Sequence, residues 1–119
     1  MRSMSLVLIV DDNAGFRATA RALLEGEGYE VAEAATGGEG VRSARELEPE
    51  VVLLDVGLPD FDGFEVAERL SRLASPPAVV LTSSRDGADY GSLVAASAVR
   101  GFVPKGELSG PAIRALLSA

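Results

Sequence analysis

The sequence of 119 residues contains no cysteine and no histidine. The absence of cysteine excludes disulfide bonds and thiolate metal sites, and the absence of histidine removes the usual zinc ligand and the usual general base. Any metal site must therefore use oxygen ligands and a hard cation. Tryptophan is also absent, and Lys105 is the single lysine among 11 basic residues, which makes it a candidate for a specific role.

The sequence also has no apolar run long enough to span a bilayer. Its run Leu6–Val10 is too short for the core of a signal peptide and leads directly into acids, so we expect a cytoplasmic protein without a membrane span. The net charge is −7, and no cluster of lysine or arginine offsets it. We therefore do not expect this domain to bind nucleic acid phosphates directly.

Short apolar segments alternate with helical patterns along a chain whose length fits one domain covering residues 1–119. Continuous apolar runs predict buried strands, and apolar residues at three- or four-residue spacing predict helices. The predicted strands cover residues 6–10, 30–34, 51–54, 78–81 and 101–103, with Pro104 interrupting the last. The predicted helices cover residues 14–25, 38–47, 64–73, 89–97 and 110–117, with Asn13, Thr36 and Ser109 as N-caps of the first, second and last. This alternation predicts an α/β fold, a three-layer α/β/α sandwich around a five-stranded parallel sheet in (βα)5 order.

Polar residues follow the predicted strands, namely Asp11 and Asp12 after the first, Asp55 after the third, Thr82 after the fourth and Lys105 after the fifth. The carboxyl ends of parallel strands meet at one edge of a sheet, where open α/β folds place their sites. Neighbouring carboxylates repel unless they are paired or bind a cation, so this edge is a candidate metal site. Each residue alone also fits a plainer role, because two acids suit a solvated turn or a helix N-terminus and Asp55 suits a turn.

In this order and spacing, the residues resemble the receiver domain of two-component response regulators. The resemblance covers essentially the whole chain and depends on the acidic pair, Asp55 with LPDFDG in the loop after it, Thr82 in VVLTSS and Lys105 in GFVPKGEL. The ordered set is far more specific than any one of its pieces. The sequence is therefore identified as a member of this family, and the flavodoxin-like topology of receivers is the expected fold.

The resemblance implies that Asp55 accepts a phosphoryl group from a histidine kinase, a phosphotransfer protein or a small phosphodonor. It implies Mg²⁺ as the cofactor, with Asp12 as a direct ligand, Asp11 acting mainly through water, and Asp55 and the backbone carbonyl of Gly57 completing the protein's share. Such a chain is a signalling phosphoacceptor domain and not an enzyme, since it catalyses only its own phosphorylation and dephosphorylation.

The resemblance also implies a switch. Lys105 and Thr82 would contact the phosphoryl oxygens, and movement of Thr82 would let the ring of Phe102 turn inward. The surface presented to an output domain, a partner protein or a second copy of the chain would then change. The ordinary alternative for Phe102 is core packing.

Some local features depart from the family pattern or leave a choice open. A proline stands directly before Lys105, whereas many receivers have one directly after this lysine. Ser83 beside Thr82 leaves a register alternative of one residue, and we favour Thr82 because it directly follows VVL. Gly57 and Ser84 are small residues beside the expected site, which predicts easy access of water and a short-lived phosphoryl group; a half-life of many hours in purified protein would contradict this.

Three other functions are alternatives to the phosphoacceptor role. Phosphatases that use a nucleophilic aspartate carry a D-x-D motif after the first strand, whereas this chain has Asp-Asp followed by Asn13. A nucleotide or flavin module would need a fuller phosphate-binding motif than the GGEG at residues 37–40. A degenerate receiver that acts as a phosphorylation-independent protein-interaction module is the remaining alternative.

Overall fold

The computed structural model describes residues 5–83 and 99–118, the last three in backbone only. The strands are β1 Leu6–Val10, β2 Glu30–Ala34, β3 Val51–Asp55, β4 Ala78–Ser83 and β5 Gly101–Pro104. The α-helices of this part of the chain are α1 Ala14–Gly26, α2 Gly37–Leu47, α3 Gly63–Ser71 and α4 Gly110–Ser118, and a 3₁₀ helix covers Lys105–Glu107. The strands form one parallel sheet in the order β2-β1-β3-β4-β5, which confirms the predicted flavodoxin-like fold. The helix predicted over residues 89–97 lies outside the described residues.

The central strands are buried on both faces, which explains why their sequences are continuous apolar runs. Successive side chains of a strand point to opposite faces, so each strand supplies two cores. One core, under α2 and α3, contains Leu8 and Leu54. The other core, under α1 and α4, contains Ile9 and Leu53. The two cores lie between the sheet and the helices on its two faces, and the sheet with these two helical layers forms the three-layer sandwich.

Each described α-helix begins at a side-chain cap that accepts the backbone N–H three residues further on. The capping residues are Asn13 for α1, Thr36 for α2, Asp62 for α3 and Ser109 for α4. The sequence predicts three of these caps, but it marks Asp62 only as a turn former. Because Asp62 is the cap, α3 begins at Gly63; it ends at Ser71, so the predicted range of 64–73 is wrong at both ends. Within residues 5–83 and 99–118, no helix is long and apolar enough to cross a membrane.

Strands β3, β4 and β5 each extend one or two residues beyond the ends that their apolar runs predict. The added residues pair with one another, Asp55 with Thr82 and Ser83 with Pro104. Pro104 therefore continues β5 and does not interrupt it. It is tolerated because β5 lies at the edge of the sheet, where a missing N–H can face away from the ladder.

Gly40 allows α2 to lie close to β1, and this contact can be tested. A Cβ at this position would lie 2.8 and 2.9 Å from the two γ-carbons of Val10. Val10 is fully buried and β-branched, so its side chain cannot move aside. We expect Gly40→Ala to lower the free energy of unfolding by about 1–3 kcal/mol, as measured by urea denaturation.

Gly38→Ala, in the same helix, is the matched control. A Cβ at Gly38 would meet only the end of the Asp60 side chain, at 3.4 Å. We expect this variant to unfold at the wild-type midpoint or above it, because alanine favours the helix. Equal midpoints for the two variants would show that the approach of α2 to β1 does not depend on Gly40.

Candidate functional site

The parallel register brings three of the predicted site residues to one face of the sheet. Asp11, Asp55 and Thr82 each stand two residues after a side chain of the core under α1 and α4, and side chains two apart share a face. Asp55 and Thr82 are direct partners in neighbouring strands, and the N–H of Val56 donates to the Thr82 carbonyl at 3.0 Å. Ser83, the register alternative, follows Thr82 in the strand and so lies on the opposite face of the sheet. The geometry therefore places Thr82 beside Asp55.

The carboxylates of Asp11, Asp12 and Asp55 form a cluster in which one oxygen from each lies within 4.8 Å of the other two. Asp11 and Asp55 are buried, with 1% and 7% of their surface exposed, whereas Asp12 is exposed. Asp11 Oδ1 accepts a hydrogen bond from the N–H of Asn13 at 2.8 Å, and Arg17 Nη1 donates to the Asp11 carbonyl at 2.6 Å. These bonds fix Asp11, while its second oxygen, Oδ2, makes no hydrogen bond within the described residues.

Lys105 lies between the two buried carboxylates. Its Nζ is 2.8 Å from Asp11 Oδ2 and 3.8 Å from Asp55 Oδ1. The shorter contact is an ion pair, so Asp11 Oδ2 faces a positive charge although it accepts no hydrogen bond within the described residues. One ammonium against three carboxylates leaves an excess of negative charge. The donor set is all oxygen, partly buried and open on the side of Asp12, and it fits a hard divalent cation such as Mg²⁺.

The environment of Asp55 disfavours its charge. Burial raises the pKa of Asp55 above its ordinary value, and the neighbouring carboxylate of Asp11 raises it further. The charge of Lys105 and a hydrogen bond from the backbone of Gly57 lower the same pKa, but they do not cancel the first two effects. The ionised form of Asp55 therefore gains from any additional positive charge brought to the cluster.

The hydroxyl of Thr82 is an unsatisfied polar group beside Asp55. Thr82 is 1% exposed, and its Oγ1 has no hydrogen-bond partner in the described parts of the chain. Buried polar groups are nearly always hydrogen-bonded, so each exception calls for an explanation. A hydroxyl kept free next to a buried carboxylate fits a site that receives a further group with oxygen acceptors.

The loop between β3 and α3 brings Gly57 to the acids. Gly57 is exposed, and a Cβ at this position would lie 3.9 Å from Asp55 Oδ2. Asp60 ties the loop to the start of α2, because its carboxylate accepts the N–H of Gly37 at 2.8 Å and the N–H of Gly38 at 2.9 Å. These hydrogen bonds, the one from Gly38 above all, hold the pKa of Asp60 below its ordinary value. The sequence does not predict these contacts, since the partners of Asp60 are 22 and 23 residues away.

Two aromatic residues lie close to the site in sequence or in space. The ring of Phe16 lies under Lys105, with Nζ 4.6 Å from the ring centroid. Its position in the helical pattern of α1 indicates only a core residue, so sequence reasoning missed this contact. Phe102, the predicted switch residue, is partly buried and packs against the core under α2 and α3. Ser84, the second small residue expected beside the site, lies outside the described residues.

Comparison with known proteins identifies the family. The family model of the response regulator receiver domain matches residues 7–115. The chain is 42% identical over 85 residues to the transcriptional regulatory protein AfsQ1 of Streptomyces coelicolor, covering 71% of this chain and 37% of that protein. It is 38% identical over 86 residues to the KDP operon transcriptional regulatory protein KdpE of Escherichia coli, covering 72% of this chain and 38% of that protein.

Solved structures agree with this result. A two-component response regulator of the LuxR family from an Aurantimonas species aligns with a TM-score of 0.86 at 29% identity, covering 98% of this chain and 86% of that one. A CheY-like receiver domain from Methanospirillum hungatei aligns with a TM-score of 0.84 at 25% identity, covering 98% and 92%.

The fold and the matched residues define a signalling domain of two-component regulators and not a classical enzyme. The chain belongs to the response regulator receiver domain family, and the resemblance found in the sequence is confirmed. The chain spans less than half of the length of the two regulators named above.

The raised pKa of Asp55 predicts an effect of its charge on stability. A carboxyl group whose pKa is raised by folding adds stability below its unfolded pKa, and that stability is lost as the pH rises through the folded pKa. We therefore expect Asp55→Asn to melt at a higher temperature than the wild type at pH 7 without divalent cations. The difference should shrink below about pH 4, where both side chains are neutral.

Asp60→Asn is the control, and the change expected in its melting temperature has the opposite sign. The pKa of Asp60 is lowered by folding, so its charge stabilises the chain at pH values above the unfolded pKa. This variant should melt below the wild type at pH 7. A lower melting temperature for Asp55→Asn than for the wild type in cation-free buffer would contradict the conclusion that folding raises the pKa of Asp55.

Proposed function

We propose that the chain is a phosphoacceptor receiver domain in which Asp55 accepts a phosphoryl group from a histidine kinase, a phosphotransfer protein or a small phosphodonor. The observation that supports this most is the meeting, at one edge of the sheet, of a buried carboxylate, an ammonium and a hydroxyl that has no hydrogen-bond partner among the described residues. These are a nucleophile and two groups that stabilise negative charge on a transferring phosphoryl group.

The transfer itself needs little covalent chemistry from the protein. One oxygen of Asp55 forms a bond to phosphorus while the bond from phosphorus to the donor's nitrogen or oxygen breaks, and the electron pair of that bond leaves with the donor. Lys105 contacts the phosphoryl oxygens as a point charge, and Thr82 donates its free hydroxyl to the same group. Later attack of water on phosphorus returns the carboxylate and inorganic phosphate.

The metal in this proposal is Mg²⁺, held by Asp11, Asp12, Asp55 and the carbonyl of Gly57. When bound, it supplies positive charge to the oxygens of the phosphoryl group. The exposed Asp12 serves as a direct ligand, and Asp11 acts mainly through water. The excess of negative charge in this all-oxygen cluster supports this assignment.

The output of the proposed switch passes through β4 and β5. Thr82 pairs with Val103, so a movement of Thr82 toward the phosphoryl group acts on the strand that carries Phe102. The ring of Phe102 and the surface around it then change the contact with an output domain, a partner protein or a second copy of the chain. AfsQ1 and KdpE are named as transcriptional regulators, which supports a histidine kinase as donor and a transcriptional output. A cytoplasmic location without direct binding of nucleic acid by this domain completes the proposal.

Phosphorylation can be measured directly on the intact chain. We expect incubation with a small phosphodonor and Mg²⁺ to add the mass of one phosphoryl group. Removing Mg²⁺ with a chelator should abolish the gain, and so should Asp55→Asn, because the first removes charge stabilisation and the second removes the nucleophile. Intact-mass spectrometry at short times measures all three samples.

Asp62→Asn is the matched control, because it changes an aspartate of the same loop and asparagine caps a helix as well as aspartate does. This variant should gain the phosphoryl group. If the wild type and this control gain no mass from the small donor or from a histidine kinase, the chain is instead a phosphorylation-independent interaction module.

Lys105→Met should change metal binding and phosphorylation in opposite directions. Methionine keeps an unbranched side chain but removes the ammonium that lies 2.8 Å from Asp11. Mg²⁺ should then bind more tightly, by about three- to tenfold, because a competing positive charge is gone. The rate of phosphorylation should fall by a factor on the order of 100, because the phosphoryl oxygens lose their cationic partner.

Titration calorimetry measures the first effect, and the mass-spectrometric time course measures the second. Weaker Mg²⁺ binding together with an unchanged rate would show that Lys105 supports the structure and does not contact the phosphoryl group.

A further inference from the structure

Lys105 has an aromatic neighbour in addition to the two carboxylates. Its Nζ lies 4.6 Å from the centroid of the Phe16 ring. A cation within about 6 Å of an aromatic face is attracted by the ring, and the attraction grows as water is excluded. Only 19% of the Lys105 side chain is exposed, so solvent screens this contact weakly.

The ring and the buried carboxylate are fixed to each other through Asn13. The side chain of Asn13 accepts the N–H of Phe16 at 2.9 Å at the start of α1. The N–H of the same Asn13 donates to Asp11 Oδ1 at 2.8 Å. Phe16 also packs against the core under α1 and α4, which limits the movement of its ring. The Asp11 carboxylate and the Phe16 ring, which both contact the ammonium, are therefore held in a fixed arrangement relative to each other.

The backbone around Lys105 does little to direct its side chain. Lys105 begins a 3₁₀ helix of three residues that has no side-chain cap. It is followed by Gly106, where an added Cβ would meet nothing within 4 Å. The direction of the lysine side chain thus depends on the groups that its ammonium reaches.

We propose that Phe16 is a positioning residue whose ring face holds the Lys105 ammonium over the edge of the sheet that carries Asp11 and Asp55. The contact keeps the ammonium at the site when the negative charge of the carboxylates is taken up by another cation. The effect of Phe16 on phosphorylation rests on the proposed function, whereas its effect on the position of Lys105 does not.

The position of Lys105 can be observed without any phosphodonor or metal. Lys105 is the single lysine of the chain, so lysine labelled with ¹³C at the ε position gives one NMR signal that needs no assignment. Protons above an aromatic face are shifted upfield by its ring current. We expect an upfield-shifted ε-CH₂ signal in the wild type, a signal near that of free lysine in Phe16→Leu, and a retained upfield shift in Phe16→Tyr.

Phe61→Leu is the matched control for this measurement. It removes the ring that lies 4.3 Å from the Arg69 guanidinium and should leave the Lys105 signal where it is in the wild type. An unchanged Lys105 signal in Phe16→Leu would overturn the proposal.

The kinetic test uses a small phosphodonor at saturating Mg²⁺. Phe16→Leu should slow phosphorylation by about three- to tenfold, and Phe16→Tyr should stay within about twofold of the wild type. In the Lys105→Met background, Phe16→Leu should have no further effect, because both changes remove the same interaction. Additive losses would overturn the proposal. If the wild type itself takes no phosphoryl group, the proposed function fails, and the NMR shift still decides whether the Phe16 ring lies against Lys105.

Discussion

The ion pair between Lys105 and Asp11 is the interaction on which the candidate site depends. Three carboxylates with oxygens within 4.8 Å of one another repel, and two of them are buried. The ammonium offsets this repulsion only in part, because the pKa of Asp55 stays raised by burial and by Asp11. In the folded chain the cluster therefore carries more negative than positive charge. This shortage of positive charge favours the binding of a cation, and the proposed acceptance of a phosphoryl group depends on the positive charge that the cation would add.

The parallel sheet produces this arrangement from the same residues that build the core. Side chains two apart on a strand share a face, so the rows that bury Ile9, Leu53 and Val80 continue into polar groups at the carboxyl edge. Register places Thr82 directly beside Asp55, and Val56 fixes the pair by a bond to the Thr82 carbonyl. Asp55 and Thr82 lie within buried strands, so the sheet fixes their position at the site.

The sequence predicts the fold well because its signals are local: apolar runs, helical spacing and capping residues. It predicts the strand ends less well, since Asp55, Thr82 and Ser83 are polar and belong to the sheet through their pairing with neighbouring strands. The contact of Asp60 with Gly37 and Gly38 and the contact of Phe16 with Lys105 were not predicted. Both join distant parts of the chain, and each residue involved has an ordinary local explanation, as a turn former or as a core position.

Locating the phosphoryl group on the chain tests the central claim most directly. Borohydride reduces an acyl phosphate to an alcohol, so it converts a phosphorylated aspartate to homoserine, which peptide mass spectrometry identifies by position. After treatment with a phosphodonor and Mg²⁺, the account predicts homoserine at Asp55 and unmodified aspartate at Asp11 and Asp12. Homoserine at either of those two residues or at Asp60, with Asp55 unmodified, would contradict it.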